Sequence, residues 1–193
     1  MKQITQAEFD ALPVEAGIKH CPGMTDYCQI RVFGEKCSFG KKCSFGEWCS
    51  FGKVCSFGKG CSFGKVCSFG EWCSFGKVCF FGKGCSFGEE CSFGKKCSFG
   101  KGCSFGERCS FGEKCSYMGL VFERLIQFDG LHRYPISIFL GKEGYKLHVG
   151  CENFDSLDDA VAESKRLGCY DGDVHKIVES MLGAATAKMK GGA

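Results

Sequence analysis

Between Arg31 and Tyr117 the apolar and polar positions recur with a period of six. The chain reads RVFGEK, CSFGKK, CSFGEW, CSFGKV, CSFGKG and onward, with Cys at every sixth position from Cys37 to Cys115 and Phe at every sixth from Phe33 to Phe111. Gly follows each of those Phe residues. Ser stands between Cys and Phe in every unit from Ser38 to Ser116 except one, where Phe80 replaces it. In an extended chain, residues two apart share a face, so Cys and Phe point inward while Ser and the residue before Cys point to solvent. Gly after Phe is expected to relieve the steric penalty of a bend, with the following Lys or Glu in water at that bend. Each unit is then one short strand and one corner. A period of six rotates around a 3.6-residue helix and cannot make an apolar stripe on it. One phenyl ring in every unit is equally foreign to disordered chains.

Read from Phe, the unit is F-G-x-x-C-S. It resembles the hexapeptide pattern of left-handed β-helix proteins, with Phe in the aliphatic position and Cys in the small one. The resemblance implies a mainly β protein, a left-handed parallel β-helix in which three hexapeptides close one triangular coil. Roughly 14 units then give fewer than five coils, a little over 20 Å at about 4.8 Å per rung. A two-sided coil of two hexapeptides is the rival. It would align Val54, Val66 and Val78 in one column and Trp48, Gly60, Trp72 and Gly84 in another. Three sides are adopted here, although three phenyl rings per coil must fill a space that packs at crystal-like density.

The flanks read differently. Thr5-Gln6-Ala7-Glu8 matches a capping box and Pro13 follows Leu12, so 5–12 is expected to be a short helix and 1–30 an N-terminal cap on a solenoid of residues 31–117. Residues 17–32 look extended and lead into the first rung. From 118 to 193 the pattern is that of a small α+β domain: a strand at 120–128, a hairpin of 136–140 and 145–149 around Gly141 to Gly144, a helix at 156–167 closed by Gly168, and a second helix at 173–189. The capping helix, the CSFG repeats and the α+β tail are together similar to small proteins of bacteriophages and prophages, which implies a bacterial host cell as the setting.

Charge and cysteine usage sharpen this picture. Residues 31–116 hold 14 Lys and Arg against 7 acids while the flanks hold 11 against 15, so the repeat is basic within a chain of net charge +3. The N-terminal MKQITQAEFDALP has no apolar leader segment, and no stretch approaches the roughly 18 apolar residues of a membrane span. The expectation is a cytoplasmic protein whose 18 cysteines are free thiols in a reducing compartment.

Chemistry is sparse. The resemblance to hexapeptide enzymes raises acyl transfer by a histidine, through the C-terminal domain or a subunit boundary, as an alternative. Residues 31–116 contain no His, Asp or Asn, and the candidates taken are His132, His148 and His175 of the C-terminal piece. Cys columns separated by Phe form rows and do not converge four ligands on one ion, and His148 with Cys151 is a weak pair, so no metal, cofactor or catalytic residue is assigned. On a three-sided coil, Lys41, Lys59, Lys77 and Lys95 share one side, and Glu35, Glu71, Glu89 and Glu107 another, with Lys53 as the exception. The reading is a non-enzymatic protein-binding scaffold, a phage-encoded inhibitor of a host or defence protein or an assembly component. Its partner-binding residues are expected to be Trp48, Trp72, Glu35, Glu71, Glu89 and Glu107, because exposed Trp anchors interfaces and polarised charge selects partners. Nucleic acid on the basic side is the less favoured partner, for want of a row of exposed aromatics. Self-association is compatible with the pattern.

Overall fold

The computed structural model describes residues 1–128, 136–142, 144–149, 152–166, 172, 175–176, 178–180 and 182–183. The chain divides into two units, Met1–Gly119 and Leu120–Ala193.

The first unit is a parallel β-helix with three sides, each coil made of three hexapeptides. Side one stacks Thr25–Asp26, Ser44–Phe45, Ser62–Phe63, Phe80–Phe81, Ser98–Phe99 and Ser116–Tyr117, with Lys2–Gln3 above them. Side two stacks Val32–Phe33, Ser50–Phe51, Ser68–Phe69, Ser86–Phe87 and Ser104–Phe105. Side three stacks Ile18–Cys21, Cys37–Phe39, Ser56–Phe57, Ser74–Phe75, Ser92–Phe93 and Ser110–Phe111, with Val14–Glu15 paired antiparallel at its end. Every parallel pairing inside the repeat joins a strand to the third one after it, as Phe57 to Phe75 and Phe63 to Phe81, which settles the coil at three sides against the two-sided rival.

The shape of phenylalanine explains why three rings fit. Within one coil Phe45 and Phe51 meet at 86°, Phe51 and Phe57 at 88°, and Phe45 and Phe57 at 90°, with centroids 5.1 to 5.7 Å apart. The three rings are mutually perpendicular, like the faces at a cube corner, and each presents its positive edge to a neighbour's negative face. Along the axis each ring lies parallel to the next, Phe57 and Phe75 being 4.9 Å apart at 3°. The rung spacing of a sheet and the stacking distance of offset rings coincide, so sheet and core reinforce one another.

Cysteine fills the remaining interior. Cys61 donates from Sγ to the Gly40 carbonyl at 3.4 Å, Cys79 to Gly58 at 3.5 Å and Cys97 to Gly76 at 3.4 Å, and the equivalent bond recurs down the solenoid. Each thiol thereby satisfies a corner carbonyl of the preceding coil, which alanine could not do. The described cysteines are free thiols.

The corners correct the expectation for glycine. The left-handed backbone falls on the residue before Cys, two positions beyond the expected Gly: Lys42, Trp48, Val54, Val66, Trp72 and Val78 have φ between 56° and 62°. Its N–H reaches forward to the next coil, as Val66 to the Lys83 carbonyl at 2.8 Å, and this hydrogen bond imposes the conformation. Gly after Phe serves close approach instead, since a Cβ on Gly58 would lie 2.6 Å from the Gly40 carbonyl carbon. A β-branched residue at positive φ is strained by about 1–2 kcal/mol. Val66→Asn is therefore expected to raise stability by about 1 kcal/mol in urea denaturation, because Asn tolerates this region and Val66 is 40% exposed. An unchanged midpoint would show that the corner is unstrained.

The N-terminal cap is smaller than 1–30. The helix Gln6–Asp10 forms with both halves of the Thr5–Glu8 capping box, and its Phe9 covers the end of the core, 5.2 Å from the Phe33 ring. The segment 17–32, expected to be extended and to lead into the first rung, already contributes strands to the solenoid. Lys19 pairs with Cys37, and Tyr27 stacks on Phe45 of the following coil at 5.3 Å. Aromatic occupancy of the Phe slot thus begins at Tyr27, one hexapeptide before the visible repeat.

The second unit has an antiparallel sheet in chain order, Arg124–Phe128, Ile136–Gly141, Gly144–Val149 and Glu152–Phe154, and a helix Leu157–Arg166. The expected hairpin and helix are present, and the strand Glu152–Phe154 was not foreseen. Ile138, Leu140 and Leu147 form its core with Val178 and Leu182. The described residues between 172 and 183 are helical, and the rest of the expected second helix lies outside the described residues.

Candidate protein-binding surface

Glu35, Glu71, Glu89 and Glu107 lie in one column, with Lys53, at the corner between sides two and three. Trp72 occupies the next position of the same corner and is 55% exposed. Trp48, at 66% exposed, stands elsewhere, at the corner between sides one and two. The reason is arithmetic: four hexapeptides separate the two Trp residues, which is a whole coil and a third of the next. Five of the six expected binding residues are therefore brought together, and Trp48 is separated from them.

The acidic column is partly neutralised where it stands. Lys53 Nζ lies 3.0 Å from Glu71, and Arg108 lies 3.6 Å from Glu89 and 3.0 Å from Glu90. Such exposed pairs contribute about 0–1 kcal/mol each and exchange readily with a partner's charges.

Beside Trp72 a groove of about 460 Å³ runs onto side three. Its walls include Ile18, Val54 and Trp72, its floor carries Ser38, Ser56 and Ser74, and His20 stands at its end. Ser56 donates to Ser38 across one rung at 3.2 Å, and Ser74 stands in register with Ser56 on the next. His20 pairs with Ser38 in register and takes the outward Ser position one coil early. Ile18 and His20 were missed in the sequence, though counting one full coil back from Ser38 finds the histidine. The groove thus sets an exposed indole beside apolar walls and a hydroxyl-bearing floor, with Lys36 as the charged side chain in its lining.

Two histidines of the second unit lie among the described residues. His148 is buried, its Nδ1 3.1 Å from the Asn153 Oδ1 on the neighbouring strand, and His175 lies 3.8 Å from Glu179. His132 and Cys151 lie outside the described residues. Among the described residues no group of three His, Cys, Asp or Glu side chains is arranged to hold a metal ion, and no helix is long and apolar enough to cross a membrane.

The fold and surface define a three-sided parallel β-helix with an aromatic and acidic edge, joined to a small α+β unit. No family model matches the chain, and no match was found among curated proteins or solved structures.

Proposed function

We propose that the chain is a non-enzymatic scaffold that binds a protein partner along the edge between sides two and three. The observation that carries this reading is Trp72, exposed at a corner where Lys, Val or Gly serve the same backbone position in other units, set between a groove on side three and the glutamate column of the same corner. Rigid stacked rungs present these side chains at little ordering cost, which favours a large and rigid partner. Covering such a partner's working surface would inhibit it, and bridging two copies would assemble them. The resemblance to phage proteins favours a partner inside a bacterial cell.

Affinity purification from bacterial lysate with the wild-type chain identifies the partner, and the variants locate it. Trp72→Lys is expected to abolish capture of that partner with a melting temperature within a few degrees of wild type, since an exposed residue is removed. Trp48→Lys should retain it. Equal capture by both variants would move the interface off this edge.

A further inference from the structure

The three corners differ in charge once the register is fixed. Over residues 35–114, the corner between sides three and one carries seven Lys and one Glu, and the corner between sides one and two carries three Lys and one Glu. The corner between sides two and three carries five Glu against three Lys and Arg. Side one is thus the side with a basic corner on both edges. Lys41, Lys59 and Lys77 repeat along one edge and Lys65, Lys83 and Lys101 along the other, one per rung. Lys65 also meets Glu47 at 3.3 Å, an exposed pair that a phosphate can displace.

The single departure from Ser in the repeat falls between those rows. Phe80 pairs in register with Ser62 and Ser98 on side one and is 50% exposed. Its backbone bond to the Cys61 carbonyl, 3.0 Å, matches those of its serine counterparts, so folding asks nothing of this ring. A bare phenyl between two lysine rows is the pairing of charge and stacking platform that single-stranded nucleic acids use.

We propose that side one binds single-stranded nucleic acid, with its phosphates between the lysine rows and a base stacked on Phe80. Charges repeated at every rung, about 4.8 Å apart, suit a polymer whose own charges repeat better than the irregular surface of a folded protein. A duplex keeps its base faces stacked inside, and an acidic polypeptide offers no planar ring to Phe80. This surface is distinct from the Trp72 edge and does not depend on it.

The test is fluorescence anisotropy of the full chain with a fluorescein-labelled oligothymidylate about 20 nucleotides long, from low to physiological salt. Binding is expected at low salt, with log K falling against log salt at a slope of about −3 if some four phosphates are engaged. Phe80→Ser restores the repeat and should fold as wild type, yet bind about ten-fold more weakly with an unchanged salt slope. Lys59→Glu should reduce the slope, whereas Lys36→Glu, the same charge change at the acidic corner, should not. The proposal is overturned by no binding at low salt, by equal weakening from Lys36→Glu and Lys59→Glu, by unaltered affinity of Phe80→Ser, or by preference for duplex DNA, heparin or polyglutamate over the oligothymidylate.

Discussion

Raising the pH above about 9 is expected to unfold the solenoid in one steep step. The neighbouring Cys103 thiol, together with burial, pushes the Cys85 thiol up to about 12, and the Cys37 thiol and burial push Cys55 up to about 11. Cys73 and Cys79 are pushed up as well, chiefly by the thiols stacked on either side. An unfolded thiol ionises near about 8.5. The folded value is the higher one, so this stabilisation is complete below about pH 8.5 and is lost as the pH rises toward the folded values. Each such thiol makes stability fall as the pH rises past the unfolded value, and several in one core make the fall steep. Urea denaturation under reducing conditions at neutral pH and at stepped alkaline pH measures the slope directly. Cys79→Ala should lower that slope by about 1.4 kcal/mol per pH unit while costing stability at neutral pH through the lost bond to the Gly58 carbonyl. A denaturation midpoint that does not move between neutral pH and about pH 10 would contradict the upward shift of these thiols.

Much of this architecture was legible in the sequence because a strand's alternation and a six-residue period leave little freedom. Cys and Phe had to share the inward face, and Thr5 with Glu8 had to start a helix; both hold in the structure. The number of sides was not contained in the period, since two hexapeptides or three close a coil with the same alternation. It is decided by side-chain shape, because three perpendicular phenyl rings fill a triangular section. Placement of the surface residues follows from that decision: on the three-sided coil the Glu column was already legible, and the spacing of 24 between Trp48 and Trp72, which is not a multiple of 18, puts them at different corners. The early coils were hidden for another reason. Cys21, Tyr27 and His20 take the places of Phe, Phe and Ser, so the pattern of burial continues where the pattern of letters has stopped.

The expected contributions of glycine differ most sharply within a single unit. Gly58 follows Phe57 and lies against the coil before it: an added Cβ would meet the Gly40 carbonyl carbon at 2.6 Å and both the Gly40 oxygen and the Lys41 nitrogen at 2.7 Å. These are backbone atoms held in inter-coil hydrogen bonds, Gly58 itself donating to the Phe39 carbonyl at 2.9 Å, so the coils cannot part without losing several such bonds. Gly58→Ala is expected to cost about 3 kcal/mol or more. Gly60, two residues later, has φ +75° and only the flexible Lys42 Cγ within reach, at 3.6 Å. Gly60→Ala should cost about 1 kcal/mol, the strain of the left-handed region alone. Gly34 has the repeat position of Gly58 but lies in an early coil where an added Cβ meets nothing within 4 Å. Gly34→Ala should therefore be neutral or stabilise by about 0.5 kcal/mol, by restricting the unfolded chain. Urea midpoints for the three variants should rank Gly34→Ala above Gly60→Ala above Gly58→Ala. A similar loss from Gly34→Ala and Gly58→Ala would mean that backbone conformation, and not the approach of one coil to the next, is what reserves this position for glycine.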